Sequence, residues 1–192
     1  MCSSDLTPSA HYHVLDVLVD GVSAGAAPSV TFTNVTANHT VAASFTLDTF
    51  ALTTNVVGGG SVTRSPNATS YAYGTVVQLT ANTAPGWAFG SWSGAAAGTA
   101  SPINLTMDAA KSVTATFIDV TAPAVSLTSP VGGEVWDTGS VHAITWTATD
   151  NAVVDSVGIE YSATGPSGPW STLAHGLANT GSWPWTLPSA AS

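Results

Sequence analysis

The chain has 192 residues, which is enough for one large domain or for two to three small β modules. Eleven acidic residues against two basic ones give a net charge of −9, which excludes a basic phosphate-binding surface and removes nucleic acid from the expected partners. The apolar stretches are far shorter than the ~20 residues of a membrane-spanning helix, and the single cysteine, Cys2, excludes an intrachain disulfide and a thiolate zinc site.

Hydrophobic residues alternate with a period close to two wherever the period is measurable, which predicts strands rather than helices. In the segment 14–19 this alternation places Leu15, Val17 and Val19 on one face of a strand. The dipeptide Asp20-Gly21 that follows is typical of a two-residue hairpin turn. Further strands are predicted at residues 52–57, 61–63, 76–80 and 113–117, with a glycine turn at 58–60. The predicted fold class is all-β.

An internal repeat organises the first two thirds of the chain. The string NVTANHTVAASF ends at Phe45, and the similar string TMDAAKSVTATF ends at Phe117, 72 residues later. A period of this size indicates tandem modules rather than a solenoid. We therefore predict the C-terminal half of a module at residues 7–48 and a complete module at 49–118. The core of the complete module is predicted around Leu52, Val77, Leu79, Trp87, Trp92, Val113 and Phe117.

The complete module carries three strings in order, LTTNVVGGGSVTRSPNATSYAYGTVVQLTA, APGWAFGSWSG and LTMDAAKSVTATF. They contain a glycine turn, a Tyr-x-x-Gly-Thr strand start, a tryptophan pair and a closing Val-x-Ala-x-Phe. In these features residues 50–117 resemble the divergent B-repeat modules of the internalin-B type, found in bacterial surface and secreted proteins. The resemblance implies a small β-grasp-like sheet that serves as a spacer or adhesive unit and has no catalytic residues.

The remaining chain changes character after a predicted linker at residues 119–123. The strings LTSPVGGEVWDTGSVHAITWTATDNAVVDSVGIEYS, WSTLA and TGSWPWTLP resemble the Ig-like module of Ser/Thr-rich anchored and bacterial secreted proteins. This resemblance implies a β-sandwich at residues 124–192 that is truncated at its C-terminal end, with Pro184 marking an edge strand. At the other end of the chain, residues 1–6 match neither repeat and look like a translated sequencing adapter, so we expect them to be non-native.

One short motif invites a catalytic interpretation. Residues 21–25 spell G-x-S-x-G around Ser23. The nucleophile elbow requires a strand before the serine and a helix after it, whereas here a hairpin turn precedes it and a further strand follows. A chance match is favoured, and we expect neither enzyme activity nor a cofactor.

Two groups of polar residues invite a metal-binding interpretation. His11 and His13 would lie on one face of a strand, where metal binding competes with a solvated strand end. Asp150, Asn151 and Asp155 supply the oxygen ligands that calcium prefers, although turn formation by Asp and Asn explains them as well.

The tryptophans invite a sugar-binding interpretation because indole faces stack on pyranose rings. Trp136, Trp170 and Trp183 are the candidate sugar platforms. Burial in a core is the competing interpretation, since large aromatic residues supply most of the core area in small β modules. Exposure of these side chains in the third module distinguishes the two.

The sequence thus predicts tandem small β-grasp-like repeat modules and a truncated Ig-like β-sandwich. The predicted function is that of non-catalytic structural or adhesive spacer modules from a larger bacterial protein, located extracellularly or at the cell surface. The expected partners are neighbouring modules of the same chain and a host or cell-surface protein or glycan. The alternative is a carbohydrate-binding accessory region of a secreted hydrolase.

Overall fold

The structure is a computed structural model that describes residues 2–188. All regular elements in this range are strands, which confirms the predicted all-β class. In chain order the strands are β1 (Cys2–Asp5), β2 (Tyr12–Val19), β3 (Val22–Ser23), β4 (Ser29–Phe32), β5 (Val41–Leu47), β6 (Thr49–Phe50), β7 (Leu52–Val57), β8 (Gly60–Ser65), β9 (Tyr71–Ala72), β10 (Val76–Thr83), β11 (Trp87–Gly94), β12 (Ile103–Thr106), β13 (Lys111–Asp119), β14 (Ala124–Ser129), β15 (Val141–Thr149), β16 (Val157–Tyr161), β17 (Ser171–Leu177) and β18 (Ser182–Thr186).

The chain forms two compact units. The first ends at Phe117, apart from the short segment Pro85–Ala88, which belongs to the second unit together with the residues from Ile118 onward. No helix within residues 2–188 is long and apolar enough to cross a membrane.

The first part of the first unit contains a three-stranded sheet, in the order β3-β2-β5, and the pair β1-β4. The turn from β2 to β3 has φ values of 52° at Asp20 and 81° at Gly21, and positive values at both positions are what a type I′ hairpin requires. The predicted hairpin is therefore confirmed. A small core lies entirely within residues 6–43 and consists of Val14, Val17 and Val30 with the half-buried Leu6, Val19, Ala27, Phe32 and Ala43.

The predicted face of β2 is wrong in part. Val14 and Val17 are buried, whereas Leu15 is 58% exposed. The reason is a β-bulge, because the register against β5 shifts between Val14 and Asp16. The extra residue resets the alternation of side chains along the strand.

Strand β1 lies in the segment predicted to be non-native, and its residues pair with β4.

The second part of the first unit contains the sheets β12-β10-β8 and β11-β13-β7, with the short pair β6-β9. The predicted strands of this region are confirmed in β7, β8, β10 and β13. The glycine turn joins β7 to β8, and these two strands belong to different sheets. β7 and β13 pair in parallel, from Leu52 opposite Lys111 to Val57 opposite Thr116.

The buried apolar residues of this region are Leu52, Tyr71, Val77, Leu79, Trp92, Leu105, Met107, Val113, Ala115 and Phe117. All of the predicted core residues are among them except Trp87, which is only half-buried. Tyr71 is buried but was not among the predicted core residues. Its hydroxyl donates to the Pro66 carbonyl and accepts the N–H of Ala68. The boundaries at residues 48/49 and 118/119 stay predictions.

The two basic side chains of the chain are both bonded within this region. The Arg64 guanidinium donates to the Leu52 carbonyl oxygen at 3.0 Å. The Lys111 ammonium lies 2.8 Å from the Asp108 carboxylate. Both side chains are half-buried and bonded to neighbouring segments, Arg64 to β7 and Lys111 to the loop before β13, so they do not form a basic surface.

The second unit contains the three-stranded sheet β14-β15-β18 and the pair β16-β17. Both sheets contribute to one core, which is the arrangement of a sandwich. The core consists of Ile144, Trp146 and Ile159 with the half-buried Ala148, Val157, Leu173, Leu177, Trp183 and Trp185. β18 lies at the edge of its sheet, as Pro184 predicts.

Two of the exposed apolar side chains of this unit lie on β14. Val125 and Leu127 are exposed and line an apolar groove together with Ile144, Trp146 and Val157. The Ig-like resemblance and the truncation of the sandwich stay predictions.

Candidate functional site

An open groove with a volume of about 380 Å³ lies on the second unit. Its walls are the rings of Trp136, Tyr161 and Trp185, and Glu134 lies at its rim beside a turn of two glycines. Two strands and one loop build most of it, since Tyr161 ends β16, Trp185 lies on β18, and Trp136 belongs to the loop before β15. We refer to it as the aromatic groove.

The loop that carries Glu134 is fixed by its own backbone. Gly132 and Gly133 have φ values of 104° and 88°, a region that side-chain-bearing residues rarely adopt. The Glu134 carboxylate accepts the N–H of Val131 at 2.6 Å and the N–H of Gly132 at 2.8 Å. These hydrogen bonds hold the pKa of the Glu134 carboxyl below its ordinary value. The largest effect comes from the N–H of Val131, and smaller ones come from the N–H groups of Glu134 itself and of Gly132. The groove therefore has a fixed, ionised carboxylate at its rim.

The aromatic rings orient one another. Trp136 stacks on His142 with ring centroids 4.2 Å apart and planes 1° from parallel, and it meets Trp185 at 6.4 Å and 68°. Trp185 contacts Tyr161 at 5.1 Å and 51°. The backbone supports this arrangement, since His142 and Trp185 are cross-strand partners in β15 and β18. The Ser140 hydroxyl lies 2.9 Å from His142 Nε2 and holds the imidazole in place.

Two indole N–H groups of the groove have unused hydrogen-bonding capacity. Trp92 donates its indole N–H to the Ala100 carbonyl and Trp146 donates to the Asn179 side chain. The N–H groups of Trp136 and Trp185 have no protein acceptor within the described range. The residues that line the groove thus include two indole N–H donors and one carboxylate acceptor.

The structure separates the three tryptophans that the sequence singles out as sugar platforms. Trp136 lines the aromatic groove, while Trp183 packs against the core of the second unit. Trp170 is 54% exposed and is not among the residues that line the groove. Sequence reasoning missed Tyr161 and Trp185, because their meeting depends on strand pairing that no local signal encodes. A sugar-binding role for any of the three stays a prediction.

The calcium candidates form a turn. The N–H of Asn151 donates to the Asp150 carboxylate at 2.6 Å, and its side-chain amide reaches the Gly86 carbonyl at 3.5 Å. Asp155 is exposed on the same loop. Between Cys2 and Pro188 no three His, Cys, Asp or Glu side chains gather as a metal site. Calcium binding at Asp150, Asn151 and Asp155 stays a prediction.

The predicted shared face of His11 and His13 is wrong. His11 lies before β2 with a φ of 66° and stacks on Tyr73, with ring centroids 3.5 Å apart. His13 lies within β2, and its Nδ1 is 2.8 Å from the Asp48 carboxylate. The positive φ at His11 turns the chain before the strand begins, so the two imidazoles point to different partners.

Ser23 lies in β3, just after the hairpin turn, as its sequence context predicts. Its hydroxyl donates to the Asp16 carboxylate at 2.7 Å and accepts the N–H of Gly25 at 3.2 Å. Both contacts stabilise the hairpin. His39, on a neighbouring loop, bonds to Asp20 instead, at 2.7 Å.

Comparison with known proteins bears on the central region. No curated protein and no solved structure was found to match the chain. Residues 50–121 match the family model described as the divergent InlB B-repeat domain. The match covers β7 to β13, including the parallel pair, and confirms the resemblance that the sequence shows for this module. The chain therefore carries, at residues 50–121, a region similar to the B-repeats of bacterial InlB-type proteins.

Proposed function

We propose that this chain is a non-catalytic structural or adhesive spacer region of a larger bacterial protein that is secreted or held at the cell surface. The match of residues 50–121 to a bacterial repeat domain supports a structural role, since repeats of this type occur in surface and secreted proteins. The partners we propose are neighbouring modules of the same chain and a host or cell-surface protein or glycan.

The observation that carries the proposal is the parallel pairing of the first and last long strands of the matched region. β7 begins that region and β13 ends it, and the two strands pair from Leu52 opposite Lys111 to Val57 opposite Thr116. In a parallel pair the chain arrives at one end of the ladder and leaves at the other. Tension on the two ends is then directed along the strands in opposite senses.

This geometry loads the hydrogen bonds of the ladder together. When two antiparallel strands of a hairpin are pulled apart from one end, their hydrogen bonds break one after another. Sliding β13 past β7 instead requires all the bonds of the ladder to break within the same small displacement. It also moves Val113 and Ala115, which are buried in the core, out of their packing. Resistance to stretching is the property that a spacer under tension needs.

Single-molecule pulling tests the proposal. With the full chain held at its two termini, residues 50–121 should unfold as one step that lengthens the chain by roughly 220 Å, from about 3.4 Å per residue less the folded span. The matched control keeps the N-terminal attachment and moves the C-terminal one to a cysteine at the exposed Ala110, in the variant Cys2→Ser/Ala110→Cys. This residue directly precedes the Lys111 end of the ladder, so the same pair of strands is peeled rather than sheared.

We expect a clearly higher unfolding force for the terminal attachment than for the Ala110 attachment at the same pulling speed. Forced unfolding is governed by the barrier between the native and transition states, so the comparison reports that barrier in two directions. Equal forces in the two geometries would contradict the proposal.

The alternative function, a carbohydrate-binding accessory region of a secreted hydrolase, is favoured by one observation, the aromatic groove.

A further inference from the structure

We propose that the aromatic groove binds a neutral oligosaccharide, whose pyranose rings pack on Trp136, Tyr161 and Trp185 while their hydroxyls bond to Glu134 and to the indole N–H groups of the two tryptophans. The site belongs to the second unit alone, and the proposal does not rest on the spacer role of residues 50–121.

The shape of the groove suits a ring-shaped ligand. Small-molecule sites in proteins are clefts of about 300–1,000 Å³ with mainly apolar walls and a few fixed polar groups. The groove has a volume of about 380 Å³, and its three rings stand at large angles to one another. Because Trp136 is held by His142 on one face, its orientation is set before a ligand arrives.

The polar groups of the groove define the chemistry of the ligand. The two oxygens of Glu134 each accept one backbone N–H, which leaves each oxygen with capacity for a further hydrogen bond. Trp136 and Trp185 supply N–H donors that have no acceptor among residues 2–188. A ligand that satisfies both sets must donate and accept hydrogen bonds beside an apolar face. Sugar hydroxyls on a pyranose ring have this combination.

Charge excludes acidic ligands. The two basic residues of the chain, Arg64 and Lys111, lie in the first unit and are bonded to the Leu52 carbonyl and Asp108. The groove itself presents the Glu134 carboxylate, and the chain has a net charge of −9. Phosphorylated, sulfated or uronic-acid sugars would therefore be repelled.

Two other ligand classes fit the groove less well. A quaternary ammonium group is attracted to aromatic faces and to a carboxylate, but it has no acceptor for the two indole N–H groups. A proline-rich segment docks in aromatic grooves and supplies carbonyl acceptors, but its prolines have no N–H for Glu134. Binding of a quaternary ammonium group or of a proline-rich segment in place of a sugar is therefore one of the results that the test can give.

The test is a titration of the full chain, uniformly labelled with ¹⁵N, in which the indole N–H signals of Trp136 and Trp185 are followed. The probes are cellohexaose, chitohexaose, xylohexaose and mannohexaose at millimolar concentrations, with choline and a proline-rich decapeptide as competitors of the other two classes. We expect saturable shifts of both indole signals with at least one of the four oligosaccharides.

Variants then assign the contact. Trp136→Phe keeps a ring against His142 but removes the N–H donor, and Tyr161→Ser removes one exposed wall; each should weaken binding about tenfold. Trp170→Ala is the matched control, because it removes an exposed tryptophan of the same unit outside the groove, and it should leave the affinity unchanged. Unaltered amide signals of β14, which carries none of the residues that line the groove, show that each variant has kept its fold.

Three results would overturn the proposal. The first is the absence of shifts with all four oligosaccharides. The second is saturation by choline or the peptide with no response to sugar. The third is binding that is lost in Trp170→Ala and retained in Trp136→Phe and Tyr161→Ser. None of these results bears on the pulling experiment, so the two proposals fail separately.

Discussion

A methyl group added at Gly60 is expected to destabilise the central module through one contact. An ideal Cβ at this position would lie 2.5 Å from Cζ of Phe117 and 2.6 Å from its Cε1 and Cε2. Carbon atoms pack favourably at about 3.5–4.0 Å, so the ring or the β8 backbone must move by roughly 1 Å. Phe117 is 3% exposed and has little room to move. The backbone of Gly60 lies outside the left-handed region, so the substitution tests packing alone.

The magnitude follows from two opposing effects. Overpacking of a filled core costs about 1–3 kcal/mol. Replacing a glycine restricts the unfolded chain and returns about 0.4–1 kcal/mol. We therefore expect Gly60→Ala to lower the free energy of unfolding of this module by about 1–2 kcal/mol. Phe117→Leu shortens the obstructing side chain, so the double variant should be more stable than the sum of the two single effects, by about 1 kcal/mol.

Native-state hydrogen exchange measures these changes within the full chain. The amides of β10 report opening of the central module, and those of β15 serve as an internal reference in the second unit. Gly74→Ala is the control, because Gly74 has a φ of 81° and open space around its Cβ position. It should cost about 1 kcal/mol through the backbone alone and show no coupling to Phe117→Leu. Additive effects of Gly60→Ala and Phe117→Leu, or an unchanged stability of Gly60→Ala, would refute the reasoning.

Two further predictions concern the core and the acidic range of pH. Leu79 is 0% exposed, so Leu79→Ala should cost about 2–5 kcal/mol in the same exchange experiment, whereas Val76→Ala, at a 53% exposed position of the same strand, should change stability by no more than about 0.5 kcal/mol. The pKa of the Asp20 carboxyl is lowered mainly by its hydrogen bond with His39 and, to a smaller extent, by the hydrogen bond from the Thr40 N–H. This contribution to stability is present above the unfolded pKa of Asp20 and is lost as the pH falls through its lower folded pKa. An NMR titration should show the Asp20 midpoint rising towards the ordinary value in His39→Gln, and an unchanged midpoint would contradict the assignment.

Local signals sufficed to predict the hairpin turn, the glycine turn and the strands with a clear alternation of hydrophobic residues. Asp20-Gly21 forms its hairpin because the residues themselves favour positive φ, wherever the strands lead. The strand over residues 52–57 likewise needed only its alternation and the glycines after it. Both features depend on a few consecutive residues, and sequence patterns report such features well.

Features that depend on pairing between distant strands were not predictable in the same way. The exposure of Leu15 follows from a bulge whose position is set by the register against β5. The aromatic groove requires His142 and Trp185 to face each other across β15 and β18. The sequence indicated that Trp185 lies on a strand, but it carried no signal that Tyr161 would meet it. A binding groove of this kind is a product of register, and register is a property of the whole sheet.

The placement of the two basic residues determines how a trypsin-type protease meets the folded chain. Such a protease cuts after Lys or Arg and needs an extended, separated segment in its cleft. Arg64 lies within β8 opposite Leu79 of β10, and Lys111 begins β13 opposite Leu52 of β7. Either strand must leave its sheet before it can be cut, so tryptic cleavage of the chain proceeds through the open state and its rate reports the free energy of that opening.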